Sequence, residues 1–419
     1  MQGALFKQRP IAFLEGCRRR YGDPFTIRIP GYVGVFTSDP AAVKQIFTGD
    51  PSLFCAGAAN AGPLEPVLGH HSLLTLDGNE HMRQRKLMLP PFHGESVRRF
   101  GDLIEEIAVR EVDRWPLGRR FALRPRMQAI ALEVILRAIF GLREQQRLAT
   151  FRTLLTRLSD RMGLVVQLPA LRRDFGPLSP WSRFLRARAA VDEAIFEEIS
   201  QRRAETEEDR DDVMSLLLAA RHEDGTGMND VEVRDQLVTL MLAGQDTTAT
   251  GLAWAFERLL RHPRCLERLR EELERGADAY MEAVLKETLR LRPPLVHVAR
   301  VLKADVTVDG YVVPAGLYLV PSLALVHLRD DLYPEPHAFR PERFLEGQPE
   351  PYAWIPFGGG VRRCIGAAFA AFEMKTVLRT VLLRTRLEAP RPRSEPPRMR
   401  HVTAAPARGA VAILVQRSG

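Results

Sequence analysis

Cys364 stands in a glycine-rich loop, Phe357-Gly358-Gly359-Gly360-Val361-Arg362-Arg363-Cys364-Ile365-Gly366, followed at once by a helix-forming run from Ala367 to Leu378. A lone cysteine is most often a small buried hydrophobe. Here the glycines let the backbone turn tightly and direct N–H groups toward a sulfur. The helix that follows sets its positive N-terminal end near that sulfur, which favours thiolate over thiol. A thiolate held in this way suits a haem iron, because it pushes electron density toward O–O cleavage.

A second chemically unusual stretch is Ala243-Gly244-Gln245-Asp246-Thr247-Thr248. It lies in the middle of a helix predicted from Met228 to Arg261, which opens with Asn229 and Glu232 at capping-box spacing and stops before His262-Pro263. Glycine and threonine weaken a helix, and a buried aspartate needs a partner. Threonine hydroxyls that bond back to carbonyls open or bend helices, so a local opening is expected here. Taken alone, an exposed polar patch on a long helix also accounts for these residues. Two further pairs read alone as ordinary surface features. Glu287 and Arg290 have the spacing of a helical salt bridge, and His81 and Arg85 share one face of a helix.

In order along the chain, these stretches resemble the motifs of the cytochrome P450 superfamily. The loop matches F-x-x-G-x-R-x-C-x-G at every specified position, and the hexapeptide is similar to A/G-G-x-D/E-T-T/S. Lys286-Glu287-Thr288-Leu289-Arg290 carries E-x-x-R, Phe339-Arg340-Pro341-Glu342-Arg343-Phe344 carries P-E-R-F, and His81 to Arg85 carries H-x-x-x-R. The resemblance spans nearly the whole chain and is nearest to soluble bacterial members with a Pro90-Pro91-Phe92-His93-Gly94 run. It implies haem b (iron protoporphyrin IX) as cofactor, with Cys364 as its proximal iron ligand and Phe357 packed beside the sulfur. Gly360 and Gly366 would permit the turn and the close approach of the helix. Arg362, His81, Arg85 and Arg300 would meet the haem propionates, as charge-assisted bonds to carboxylates allow. Thr247 would donate a hydrogen bond in an oxygen groove, and Asp246 would relay protons from solvent. Glu287, Arg290 and Arg343 would form a buried structural network. His297 is a poor iron ligand and is read as lining the pocket or satisfied in the core.

The elements that must position these groups are mostly helices. Strand-like runs flank a Pro30-Gly31 turn at Phe25–Ile29 and Val33–Thr37, after a helix from Ile11 to Tyr21. From about Glu95 to Arg300 apolar residues recur at three- and four-residue spacing. Short strands return at Val306–Val308 and Tyr311–Val313, a proline-rich section leads into the cysteine loop, and a β-like tail ends at Val411–Val415. This is a mainly α protein with small β-sheets, and the resemblance makes it a single cytochrome P450 domain over residues 1–419.

Composition agrees with that size of core: 45% of the 419 residues are hydrophobic and 27% charged. The four cysteines, Cys17, Cys55, Cys265 and Cys364, are scattered and form no C-x-x-C pair, which fits a reducing compartment. No signal peptide or transmembrane run is present, so a cytoplasmic protein without a membrane anchor is expected. The net charge of +8 is spread over amphipathic helices with no nucleic-acid motif behind it. It reads as a solvated arginine-rich surface, or as a basic face for an acidic electron carrier.

The resemblance implies a monooxygenase that uses O2 and two electrons from a ferredoxin or flavodoxin-type donor with its reductase, acting as a monomer. With the chain ending soon after Cys364, no fused reductase is expected. Pocket candidates are Phe92, Met241, Leu242, Ala243, Val296, Val298 and Thr403-Ala404. They are apolar or small and favour a fatty acid, terpenoid or steroid-like substrate. A peroxide-driven peroxygenase would tend to lack the Asp246–Thr247 pair; of the non-catalytic haem proteins, a gas sensor would need an output domain and an electron carrier would have little use for the Gly-Gln-Asp-Thr-Thr stretch. Two departures from the family pattern are an abrupt start and a short link from Glu271 to Glu282.

Overall fold

The computed structural model describes residues 2–29, 32–204 and 210–417. Helices dominate and the sheets are small, the mainly α class expected. Packing divides the chain into two compact units. One holds Met1–Phe54, Phe92–Ala131 and Gly244–Gly419, the other Cys55–Pro91 and Leu132–Ala243.

In the first unit, Phe25–Ile29 pairs antiparallel with Tyr32–Thr37, and Phe25 stacks on its partner Phe36 at 5.5 Å. The anticipated Pro30-Gly31 turn lies outside the described residues. Tyr32–Thr37 then runs parallel to Tyr318–Pro321, whose other edge takes Arg300–Leu302 antiparallel. Alternating side chains from this sheet meet Val43, Ile46 and Phe47 of the Pro40–Thr48 helix, with Leu323, Val326 and Ile355, in one apolar cluster. A second sheet joins Arg120–Ala122, Val411–Arg417 and Thr385–Glu388, all antiparallel. The short strand at Arg120 lies within the otherwise helical region. The helices Gly101–Val112 and Ala367–Arg384 pack closely, because Gly101 leaves just enough room for the Phe372 ring.

The short connection between Pro263–Glu274 and Ala279–Leu291 is a built turn. Gly276 takes φ +74°, and its N–H closes on Leu273 O. The Glu272 carboxylate then accepts the N–H groups of Tyr280 and Met281, capping the next helix. One residue both ends a helix and starts another, so little chain is needed between them.

The second unit is built around the helices Gln145–Gln167 and Pro180–Ala204. Its part of the long helix Asp230–Leu259 opens as the sequence predicts: Asn229 N–H donates to Glu232 Oε2 at 2.8 Å, and Glu232 N–H donates to Asn229 Oδ1 at 3.0 Å. Buried Asp235 accepts His71 N–H at 2.9 Å and Gln236 accepts Leu73 N–H, which fixes the loop before Gly78–Met88. The helical assignment runs unbroken through Ala243–Thr248.

Candidate active site

The cysteine loop is fixed by its backbone. Gly358 and Gly360 take φ +69° and +61°, and Gly358 N–H closes on Ile355 O. A Cβ on Gly360 would come within 1.8 Å of the Phe47 carbonyl oxygen, so only glycine fits. Cys364 N–H donates to Phe357 O at 2.9 Å, which closes the loop and leaves the cysteine exposed. The helix Ala367–Arg384 starts three residues later, so the side chain sits at its positive end. Phe357 packs edge-on to Trp354, whose Nε1–H donates to Lys286 O. The Arg300 guanidinium lies over the Phe47 ring at 5.6 Å, and Phe47 also contacts Gly359. Phe47 therefore ties Arg300 to the loop, although nothing in its spacing announced that.

Behind the loop the structure brings Glu287, Arg290 and Arg343 together. Arg290 donates to both Glu287 oxygens at 2.6 and 2.8 Å, and Arg343 Nε donates to Oε1 at 3.1 Å. Neither Glu287 nor Arg290 is exposed to solvent. Arg290 completes its donors on the carbonyls of His327, Pro336 and Ala338, so the buried charges are paired and hydrogen-bonded. His327 carries the connection onward: its Nε2 accepts Ile355 N–H at 2.8 Å, two residues before Phe357. Burial, reinforced by the Arg290 charge, pushes the His327 imidazole down to about 3, so the ring is neutral and able to accept. Tyr333 stacks on the Arg290 guanidinium and donates its hydroxyl to Ala353 O. Neither His327 nor Tyr333 was singled out from sequence, since each acts only through tertiary partners.

Asp246 is held on three sides. Thr403 Oγ1 donates to Oδ2 at 2.7 Å, Gln128 Nε2 donates to Oδ1 at 3.0 Å, and Arg124 pairs with Oδ1 as well. Arg124 and Gln128 belong to one face of the helix Leu123–Ala138, and Thr403 to the hairpin Pro397–Arg400/Thr403–Pro406. The same hairpin is pinned where Trp254 Nε1–H donates to Ala404 O. Arg124 and Gln128 are additions to the sequence-derived set; an i,i+4 polar pair on a helix gave no hint of them. Thr247 follows Asp246 on the helix and is half-buried.

The remaining candidates are distributed as follows. Thr403 is buried and is a partner of Asp246, and Phe92 is buried edge-on to Phe369 of the helix behind Cys364. Val296 is buried, Val298 is half-buried beside the sheet cluster, and Gly366 caps the Ala367–Arg384 helix. His297 packs between Phe6 and Phe36, and burial pushes its imidazole down to about 4. In the second unit, Met241 is buried and Ala243 exposed. There His81 is buried and Arg85 half-buried on one face of Gly78–Met88, a helix held by Gln84 to Glu232 and by Arg83 to Asp224.

The donor set fits an iron porphyrin. An exposed sulfur on a loop fixed by its backbone can reach a metal from one side, and Arg300, stacked on Phe47, and Arg362, two residues before Cys364, are of the type that suits a ring carrying carboxylates.

The family model for cytochrome P450 matches residues 2–412. The chain is 43% identical to cytochrome P450 135B1 of Mycobacterium tuberculosis over 98% of its own length and 88% of that protein. It is 40% identical to cytochrome P450 138 of the same organism, over 92% of this chain and 88% of the other. In fold it is similar to cyanobacterial CYP120A1 solved with retinoic acid, at a TM-score of 0.86 and 24% identity, covering 99% of this chain and 96% of that one. With the family model matching residues 2–412 and relatives 43% and 40% identical along nearly the whole chain, this protein belongs to the cytochrome P450 family.

Proposed function

We propose that this haem–thiolate monooxygenase, with haem as its cofactor, hydroxylates a hydrophobic small molecule of the fatty acid, terpenoid or steroid-like kind. The observation that carries the reading is the exposed Cys364, held at a helix N-terminus by its own N–H to Phe357 O. When bound, haem supplies the activation of O2 by two electrons, so that one oxygen atom enters a C–H bond and the other leaves as water.

The residues of the chain have the following roles. Cys364 Sγ holds the iron as thiolate, and Phe357 shields it from water on one side. Arg300, Arg362, His81 and Arg85 are proposed partners of the propionates, and Gly366 allows the helix to approach the ring. Asp246 takes a proton at its carboxylate from the solvent side and passes it toward Thr247 Oγ1, which orients it by hydrogen bonding. Arg124, Gln128 and Thr403 hold the Asp246 carboxylate in place for that transfer. Phe92, Met241, Ala243, Val296, Val298 and Thr403 are the proposed substrate-lining residues, apolar or small and suited to excluding water from the substrate. Glu287, Arg290 and Arg343 keep the loop in its shape. Electrons come from a ferredoxin or flavodoxin-type donor with its reductase, and the enzyme works as a cytoplasmic monomer.

The test is a visible-absorption titration of the ferric holoenzyme with fatty acids, terpenes and steroids. A low-spin to high-spin shift of the Soret band with one of these classes is expected. Shifts given only by polar or carrier-bound compounds would overturn the substrate class while leaving the haem assignment intact.

A further inference from the structure

A cleft of about 590 Å³ opens beside the edge strand of the five-stranded sheet, lined by Arg28, Ile29, Tyr32, Val33, Leu317 and Tyr318. None of these residues belongs to the haem, oxygen or substrate sets above. The volume is that of a small-molecule site, and the lining is mostly apolar or aromatic.

Sequence and register build its floor. Ile29 pairs with Tyr32 across the antiparallel strands, and Gly34 stands opposite Tyr318 across the parallel ones. Side chains two residues apart on a strand share a face, so Tyr32 lies beside both Gly34 and Tyr318. A Cβ on Gly34 would come within 2.5 Å of Tyr32 Oη, so the glycine makes room for the tyrosine. The two rings lie 4.7 Å apart at a tilt of 36°. An aromatic ring laid over a strand glycine stabilises a sheet by itself, which accounts for the place of the Tyr32 ring. It does not account for the polar atoms of the cleft.

Those atoms are donors without acceptors. Arg28 is exposed and makes no ion pair or hydrogen bond among the described residues. Tyr32 and Tyr318 are half-buried, and neither hydroxyl has an acceptor among the described residues, although tyrosine hydroxyls in such places usually find one. Burial, with Tyr318 beside it, pushes the Tyr32 hydroxyl up, so it keeps its proton and can donate. None of the lining residues is acidic. A guanidinium and two phenols set among apolar walls match an apolar molecule that carries a carboxylate. The paired ring faces suit a flat body, since aromatic groups stack at centroid distances of about 4.5–7 Å.

We propose that this cleft binds a flat apolar carboxylate, with Arg28 and the two tyrosine hydroxyls holding the carboxylate and Ile29, Val33 and Leu317 covering the body. The site is formed by residues other than those assigned to haem and substrate, and it does not rest on the substrate class proposed above.

The test is isothermal titration calorimetry of the ferric holoenzyme with 2-naphthoate and with its neutral analogue 2-naphthamide, the Soret band being followed in parallel. Saturable binding of the carboxylate is expected, with the amide at least about tenfold weaker. Arg28→Gln and Tyr32→Phe/Tyr318→Phe each weaken 2-naphthoate about tenfold, as loss of a bond to a charged group does, and leave any Soret response as it was. The double phenylalanine variant keeps both rings, and with them the cover on Gly34. No saturable binding to the unmodified enzyme would overturn the proposal. So would equal affinity for acid and amide, or unchanged affinity in either variant, which would place the bound naphthoate elsewhere.

Discussion

The Ile355 N–H donates to His327 Nε2 at 2.8 Å, while the His327 carbonyl accepts from Arg290 at 2.6 Å. One histidine therefore links the buried Glu287–Arg290 pair to the strand of chain that enters the cysteine loop. The link requires a neutral imidazole, and the depressed His327 value of about 3 provides it.

That arrangement predicts an acid limit on stability. A histidine that titrates near 6.5 when unfolded and near 3 when folded binds more protons in the unfolded state throughout that interval. Stability is thus fully present above about pH 6.5 and falls as pH drops toward 3. His327→Phe removes this acid sensitivity but leaves the buried Ile355 N–H without an acceptor, at a cost of about 1–3 kcal/mol. The expected result is a lower Tm at neutral pH and a shallower decline on acidification. An unchanged slope of Tm against pH would contradict the assignment.

Breaking the Glu287 network is more severe. Glu287→Ala leaves two guanidiniums buried without their carboxylate, which costs about 3–5 kcal/mol. We expect loss of haem retention on purification, with Arg343→Lys much milder because Arg343 makes a single bond to Glu287. Equal haem retention by Glu287→Ala and the unmodified protein would show that the network does not shape the loop.

Glu373, on the helix behind Cys364, is buried and its carboxyl is pushed up to about 8 by loss of solvent. The folded protein then holds a proton there that the unfolded chain has lost above about pH 4.5, so stability falls as pH rises from 4.5 to 8. Glu373→Gln should raise Tm by a few degrees at about pH 9 and little at about pH 5. A Tm difference that is the same at both pH values would rule out a buried neutral acid.

The Asp246 cluster gives a kinetic prediction. Asp246→Asn should lower turnover about 100-fold, within the range for a lost proton relay, and Thr247→Ala should divert reducing equivalents to peroxide. Arg124→Gln, which frees the carboxylate from one of its three partners, should cost about tenfold with an unchanged ferric spectrum. Full coupling of electron consumption to product in Thr247→Ala would defeat the proton-transfer roles.

What could be seen in the sequence was what is local. The glycine pattern around Cys364, the capping box at Asn229–Glu232 and the Glu287–Arg290 spacing each follow from neighbours within a few residues. Arg124, Gln128 and His327 had no such signature, since their partners lie 28 to 122 residues away. Thr403 and Phe92 show the same limit: no local pattern announces that Thr403 bonds Asp246 or that Phe92 packs on Phe369.

The central claim is that Cys364 holds the haem iron as a thiolate, and the reduced carbon monoxide difference spectrum of the holoenzyme tests it directly. The unmodified protein should give the thiolate-type Soret band, and Cys364→Ser should lose that band while keeping its fold by circular dichroism. A thiolate-type band that persists in Cys364→Ser would contradict the account.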